Sequence, residues 1–448
     1  MEHGRHEPDI LQNLRREFAN GRQWFERAVV LAYAMVAGLA VVAFTLLADR
    51  AFALFELLRG WHAWSILLWA PACTAAIVYC TRRWAPAAAG SGIPQVMAAL
   101  DPVVPAAQRS RFVSLRLSAA KIVLATAGLL AGLSVGREGP SVQVAAGVMQ
   151  HARRWLGPQS SIDGRALLVA GGAAGIAAAF NAPLAGVVFA IEELSRKLES
   201  RSSGLIITAI VLAGLMAVSS FGNLSYFGVI RVPHLGWEAL LPGLLVTLAC
   251  GLLGGLFAKL LAASIIGTPG RIGDFRRQHP IRFAALGGLA IAAIGFVGGG
   301  STYGAGSETV KHMLAGHADV PALYVLLKFV ATWLTAWCGV PGGIFAPALS
   351  IGAGVGYDVA ALTGGGGGAL APALIAMGMA AFLAAVTQAP LTAFIIVMEM
   401  VDGHSMVLSL MASAMLASLL SRLMTRPLYE TLAENMVRGI APPRGPAP

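Results

Sequence analysis

The chain has 448 residues, 57% of them hydrophobic and only 12% charged, with a formal net charge of +10 and a mean hydropathy of +0.71. An ordinary soluble domain is about 25% charged, so the composition excludes that class and points to a helical membrane protein. Lys and Arg gather in short connecting segments (14–27, 108–121, 152–165, 196–202 and 271–282), a bias expected of cytoplasmic loops rather than of a nucleic-acid surface.

In chain order, residues 1–29 are hydrophilic and lack the apolar core and cleavage site of a signal peptide. They are expected to form a cytoplasmic segment. Charge-free runs follow at 28–48, 60–81, 166–191, 203–230, 283–307, 329–357 and 359–398. A spanning helix needs about 20 apolar residues, so several runs qualify, and 359–398 is long enough for two passes. Cys73, Cys80, Cys250 and Cys338 lie in apolar stretches without metal-site spacing and read as small buried hydrophobes. Neither a metal nor a cofactor is expected.

Glycines (53) and prolines (23) interrupt these runs. Broken helices at membrane depth are tolerated where they are buried in protein or line a cavity. Their N-termini carry about +0.5 charge and attract anions. Four segments have this character: "GSGIPQV" (90–96), "GREGPSVQ" (136–143), "GGGSTYGAGSE" (298–308) and "GGIFAPALS" (342–350). None ends in the Gly-Lys-Ser/Thr of a phosphate loop.

The chain also repeats itself. At an offset of 207 residues, "GGAAGIAAAFNAPLAGVVFAIEEL" (171–194) falls on "GMAAFLAAVTQAPLTAFIIVMEMV" (378–401), aligning Glu192 with Glu399. The same offset matches Gly136 with Gly343 and Pro140 with Pro347. The expected organisation is therefore a first half at 30–222, a linker at 223–235, a second half at 236–440 and a tail at 441–448. Spacing alone leaves parallel and inverted halves both open. Internal repeats are usual in secondary transporters, whose substrate sits near the midplane between the halves.

Two acids stand out. An ionised Glu138 at bilayer depth costs about 2.5–3.5 kcal/mol on insertion scales, so it needs a partner or a task. Arg137 is adjacent, but neighbouring residues on a helix do not face each other. The alternative is that the carboxylate, itself an anion, plugs an anion site when ionised and swings aside when protonated, with Gly136 and Gly139 leaving it room. Glu192 and Glu399 read as a structural pair suited to helix-end hydrogen bonding. Glu193 aligns with Met400 and breaks the symmetry, which favours function over a solvated face beside Arg196 and Lys197. Lys121 either snorkels to the interface or supplies a buried positive potential.

The three segments "GSGIPQV", "GREGPSVQ" and "GGIFAPALS", in this order and spacing, resemble the signature motifs of the CLC family of chloride channels and proton/chloride exchangers. The likeness continues through "AAAFNAPLAGVVFAIEEL", "QAPLTAFIIVMEMVD" and "RPLYETL" (426–432) and covers nearly the whole chain. It implies an all-α polytopic membrane protein with two inverted halves of tilted and broken helices, working as a homodimer with one anion pathway per subunit. By the same resemblance Glu138 is the gating glutamate and Glu193 the internal proton-transfer acid. Chloride is held by the hydroxyls of Ser91 and Tyr429 and the amides of Ile344 and Phe345, with Lys121, Arg137, Gly136 and Gly139 supporting the pathway. Ser91 could otherwise be a helix N-cap, and Tyr429 an interfacial aromatic.

The implied function is proton-coupled chloride antiport across a bacterial inner membrane, with both termini cytoplasmic; a passive chloride channel of the same fold is the alternative. An intramembrane enzyme is disfavoured, since neither HExxH nor GxSxG occurs. Three departures from the family pattern are visible. Gln95 stands where an acid is common, regulatory nucleotide-binding CBS domains are not expected after "APPRGPAP", and "LTGGGGGAL" (362–370) reads as a flexible loop.

Overall fold

Inside a bilayer every backbone N–H and C=O must find a partner within the protein, so apolar runs cross as helices. The computed structural model describes residues 21–440, apart from 159, 161, 196–202, 223–225, 229–235, 268, 317–319 and 365–369. Among the described residues there are eighteen α-helices and no strand beyond isolated bridges. Arg196 and Lys197, most of the 223–235 linker, the centre of the glycine-rich 362–370 loop and the 441–448 tail lie outside the described residues.

The first half contains α1 (Gly21–Trp61), α2 (Ile66–Trp84), α3 (Ile93–Leu100), α4 (Leu115–Leu130), α5 (Glu138–Ala152), α6 (Gly164–Ala179), α7 (Pro183–Phe189) and α8 (Ser203–Phe221). The second contains α9 (Leu240–Ile266), α10 (Arg271–Gln278), α11 (Pro280–Val297), α12 (Ser307–Leu314), α13 (Tyr324–Cys338), α14 (Phe345–Leu362), α15 (Ala371–Thr387), α16 (Pro390–Met400), α17 (Val407–Arg422) and α18 (Leu428–Arg438). Among the described residues, eight helical stretches are long and apolar enough to cross a membrane. The first described helix runs without a break from Gly21 past residue 29.

Three apolar runs do not become single or full passes; one of them, 329–357, is split between the end of α13 and the start of α14. The 166–191 run breaks between α6 and α7, and the 359–398 run yields α15 and most of α16, which are shorter apolar helices. Both breaks fall at the same repeat position. Asn181 (φ 54°) and Gln388 (φ 61°) adopt the left-handed conformation, and Pro183 and Pro390 then open the next helix. Proline is favoured at that first position, where its missing N–H costs nothing.

The halves meet through reciprocal contacts. The Glu192 carboxylate accepts the N–H groups of Leu391 (3.0 Å) and Thr392 (2.7 Å), while Glu399 accepts those of Leu184 (3.2 Å) and Ala185 (2.7 Å). Each carboxylate thus caps the first turn of the other half's helix. Gly136 and Gly343 exchange both backbone bonds, at 2.8 and 2.7 Å, in an antiparallel bridge. Contacts in which i meets j and j meets i identify a two-fold axis, here relating two inverted halves. Small residues let the paired helices approach closely: Gly175 packs on Ser141 between α5 and α6, and Gly352 packs on Gly378 between α14 and α15.

Candidate functional site

The site is built where the N-termini of α3, α5 and α14 converge. Besides the Gly136–Gly343 bridge, Gly90 donates to Val340 O (3.3 Å) and Gly342 donates to Gly90 O (3.0 Å). The approach requires glycine at specific points. A Cβ on Gly343 would lie 2.9 Å from the Gly139 nitrogen, and one on Gly139 would overlap the Ser91 hydroxyl.

Three side chains rivet the loop that precedes α3. Lys121 Nζ donates to Ala88 O (2.8 Å) and Gly90 O (2.6 Å), Gln95 Nε2 to Ala89 O (2.6 Å) and Ala87 O (3.2 Å), and Gln143 Nε2 to Ala87 O (3.0 Å). Lys121 is fully buried and does not snorkel. Gln95 must donate here, which an ionised acid could not do; its amide faces the loop, not a vestibule. Ser91 does not cap α3, whose N-cap is Gly92.

Three polar atoms close this cluster. The oxygens Ser91 Oγ, Tyr429 Oη and Glu138 Oε2 are buried with no hydrogen-bond partner, and the Ser91 side chain neighbours the Tyr429 hydroxyl. Tyr429, on α18, is held in a ring column, with its ring 5.9 Å from that of Phe345 and Phe345 stacked 6.2 Å from Phe180. The Glu138 carboxylate, 2% exposed, lies against the start of α14: a Cβ on Gly136 would meet its Oε2 and, at 3.2 Å, both Ala346 and Pro347. It therefore sits on the N-terminus of α14, whose N-cap is Ile344 and whose first residue is Phe345. That helix end stabilises negative charge.

Two large cavities flank the cluster. The one on the Glu138 side, about 800 Å³, is also lined by Arg137, Asp49, Tyr226 and Lys311. Arg137 pairs there with Asp49 of α1 and hydrogen-bonds the Tyr226 hydroxyl at 3.3 Å, which in turn donates to Ser307 Oγ at 3.2 Å. The guanidinium is thus committed to α1 rather than to its neighbour Glu138. The second cavity, about 810 Å³, is lined by Glu193, Glu192, Asp101, Arg422 and Arg426. Residues Ala190–Leu194 form a π-helical turn. Such turns re-aim side chains at functional sites; here one of two successive acids caps α16 and the other, Glu193, is partly buried at the cavity wall. Tyr429 lies close enough to feel the charges of both Glu193 and Glu138.

Ser91, Gly136, Glu138, Gly139, Ile344, Phe345 and Tyr429 are therefore brought together. Lys121 lies one layer behind them, Arg137 faces the first cavity, and Glu193 faces the second. Sequence reading missed Lys328, fully buried, whose Nζ donates to Thr302 O (3.0 Å) and Gly304 O (2.7 Å). It stands 207 residues after Lys121, so the repeat offset was a usable signal. It also missed Asp49, the acid that ends the first charge-free run, and Tyr226, which falls in the expected linker and carried no signal.

Comparison with known proteins agrees with this architecture. The family profile described as voltage gated chloride channel matches residues 73–422. A relative from Klebsiella pneumoniae subsp. pneumoniae named "H(+)/Cl(-) exchange transporter ClcA" is 31% identical over 388 residues, covering 81% of this chain and 77% of the relative. Two solved structures share the fold. A slow cyanobacterial Cl−/H+ antiporter has a TM-score of 0.75 at 24% identity, covering 92% of this chain and 98% of the other. A CLC-type fluoride/proton antiporter has a TM-score of 0.74 at 22% identity, with 91% and 97% covered. The chain belongs to the voltage-gated chloride channel (CLC) family.

Proposed function

We propose that this multi-pass membrane protein exchanges chloride for protons, with Glu138 as the gate and Glu193 as the acid that serves the opposite cavity. The observation that carries the reading is the Glu138 carboxylate placed against the first turn of α14, near the unpartnered hydroxyls of Ser91 and Tyr429. In this reading the ionised carboxylate occupies the position that the anion takes when the carboxyl is protonated.

In this reading chloride is held by the Ser91 and Tyr429 hydroxyls and the amides of Ile344 and Phe345. Partial charges and neutral donors bind a dehydrated anion without trapping it, and conduction requires that it leave. Ionised Glu138 competes for those donors and closes the path. Protonation removes its attraction to the amides, and the carboxyl moves toward the Asp49–Arg137 cavity, carrying the proton. Glu193 exchanges protons with the second cavity, and the route between the two acids passes Tyr429. The name of the Klebsiella relative, an H(+)/Cl(-) exchange transporter, supports the exchange of chloride for protons.

Two further parts of the proposal are a homodimer and a bacterial inner-membrane location with both termini cytoplasmic. Exposed apolar side chains on α7, α16 and α17 (Leu184, Leu391, Leu408, Leu416 and Leu419) offer a dimer face. A one-subunit mass by light scattering in detergent would contradict the dimer.

The exchange itself is tested on purified protein in liposomes, with a chloride gradient, a potassium/valinomycin clamp and a pH electrode outside. Chloride moving downhill is expected to drive protons uphill, in a signal that a protonophore collapses. Chloride flux without proton movement would make the protein a channel and remove the role given to Glu193.

A further inference from the structure

The face opposite the Glu138 cavity carries arginines that the transport reading leaves unused. Helix α5 starts at Glu138, and α6 ends at Ala178 and Ala179, all of which line that cavity. The other ends of these helices, Ala152 and Gly164, therefore stand at the opposite face. There a Cβ on Gly164 would lie 2.9 Å from Nη1 of Arg153 and 3.2 Å from Nη1 of Arg109. Two guanidinium groups thus converge on the first residue of a 16-residue helix. Arg165, the next residue, adds a third cation to their surroundings.

The charge has the wrong sign for the place. A helix N-terminus bears about +0.5 charge and is stabilised by anions, not cations. One exposed carboxylate, Asp163, lies among the three arginines. It holds the N-cap position but makes no side-chain hydrogen bond to the first-turn amides. Glu26, the nearby buried acid, is already engaged with Ser160 and Arg22. Arg109 is the sharpest indicator. It is 6% exposed, its Nε has no hydrogen-bond partner, and its Nη1 points at the helix end. A buried cation short of partners is costly, and the fork of arginine matches phosphate oxygens in geometry.

We propose that Arg109, Arg153 and the first-turn amides of α6 bind a phosphate group, carried by an anionic lipid headgroup or present as free phosphate. Helix N-termini are ready-made phosphate sites. Trp155, two residues after Arg153 and 59% exposed, sets this corner at the depth where tryptophans mark the membrane–water interface. The site is separate from the chloride pathway and stands whether or not the transport reading does.

Two probes separate the sources of phosphate. Protein in nanodiscs of neutral phosphatidylcholine is titrated with inorganic phosphate by calorimetry. Protein from mixed phosphatidylcholine–phosphatidylglycerol membranes is scored by native mass spectrometry for retained phosphatidylglycerol. At least one probe is expected to bind, and the one that binds names the source. Arg109→Gln and Arg153→Gln should each weaken that binding roughly tenfold or more, the scale of losing a charge-assisted hydrogen bond. Arg153 is exposed, so its variant keeps the test alive if Arg109→Gln does not fold. Binding of neither probe, or binding unchanged in Arg153→Gln, overturns the site.

Discussion

Helices α5 and α14 start from equivalent backbones and deliver different chemistry to the same point. Gly136 and Gly343 bridge each other, and Pro140 and Pro347 follow at the same spacing. Between them the first half places Arg137 and Glu138, and the second places Ile344 and Phe345. One half therefore contributes a charged pair, while the other contributes two apolar side chains at the same positions. The same contrast recurs at the break after α6 and α15. Glu192 and Glu399 are equivalent and cap each other's partner helix, whereas Glu193 faces Met400 across the repeat. Residues that obey the two-fold axis hold the frame, and residues that violate it lie on the proposed path of chloride and protons.

The largest expected effect comes from removing the asymmetric acid at the centre. Glu138→Gln should abolish proton coupling while leaving chloride flux in liposomes; chloride movement still driven by a pH gradient would contradict the gate.

The symmetric pair should behave differently and alike. Glu192→Ala and Glu399→Ala each remove two charge-assisted bonds to helix amides and should each cost about 3 kcal/mol, read as matching losses in thermal unfolding in detergent. A large loss in one and none in the other would break the equivalence of the halves. Gln95→Glu replaces a donor with an acceptor against two loop carbonyls and should cost about 2 kcal/mol in the same assay; an unchanged unfolding temperature would mean that the loop is held by Lys121 and Gln143 alone. The smallest effect belongs to Ser91→Ala combined with Tyr429→Phe. It should weaken chloride binding about tenfold, or about 1.4 kcal/mol, by calorimetry, and an unchanged affinity would put the anion elsewhere.

The sequence carried the helical membrane class, the repeat and the family motifs plainly, because each rests on local composition or on a fixed offset. The same offset paired Glu192 with Glu399 as structural acids suited to helix-end hydrogen bonding, whereas the reciprocal capping across the halves is visible only in the fold. Other features depend on contacts between distant segments. The Arg137–Asp49 pair joins residues 88 positions apart, and nothing in either neighbourhood names the other. Tyr226 reaches the Glu138 cavity from a stretch that reads as a connector. The two short helices within 359–398 look long enough for full passes because composition counts apolar residues, whereas Gln388 and Pro390 decide where the backbone turns. The π-helical turn that separates the aims of Glu192 and Glu193 has no signature in residue types at all.

The most direct measurement is a simultaneous chloride-electrode and pH-electrode record on liposomes containing Glu193→Met, compared with the unaltered protein. That substitution gives the first half the residue the second half already carries. If asymmetry at this position serves proton transfer, chloride flux persists and the uphill proton signal of the unaltered protein disappears. If protons still move uphill in Glu193→Met at the same ratio to chloride, the division between a symmetric frame and asymmetric working residues is wrong.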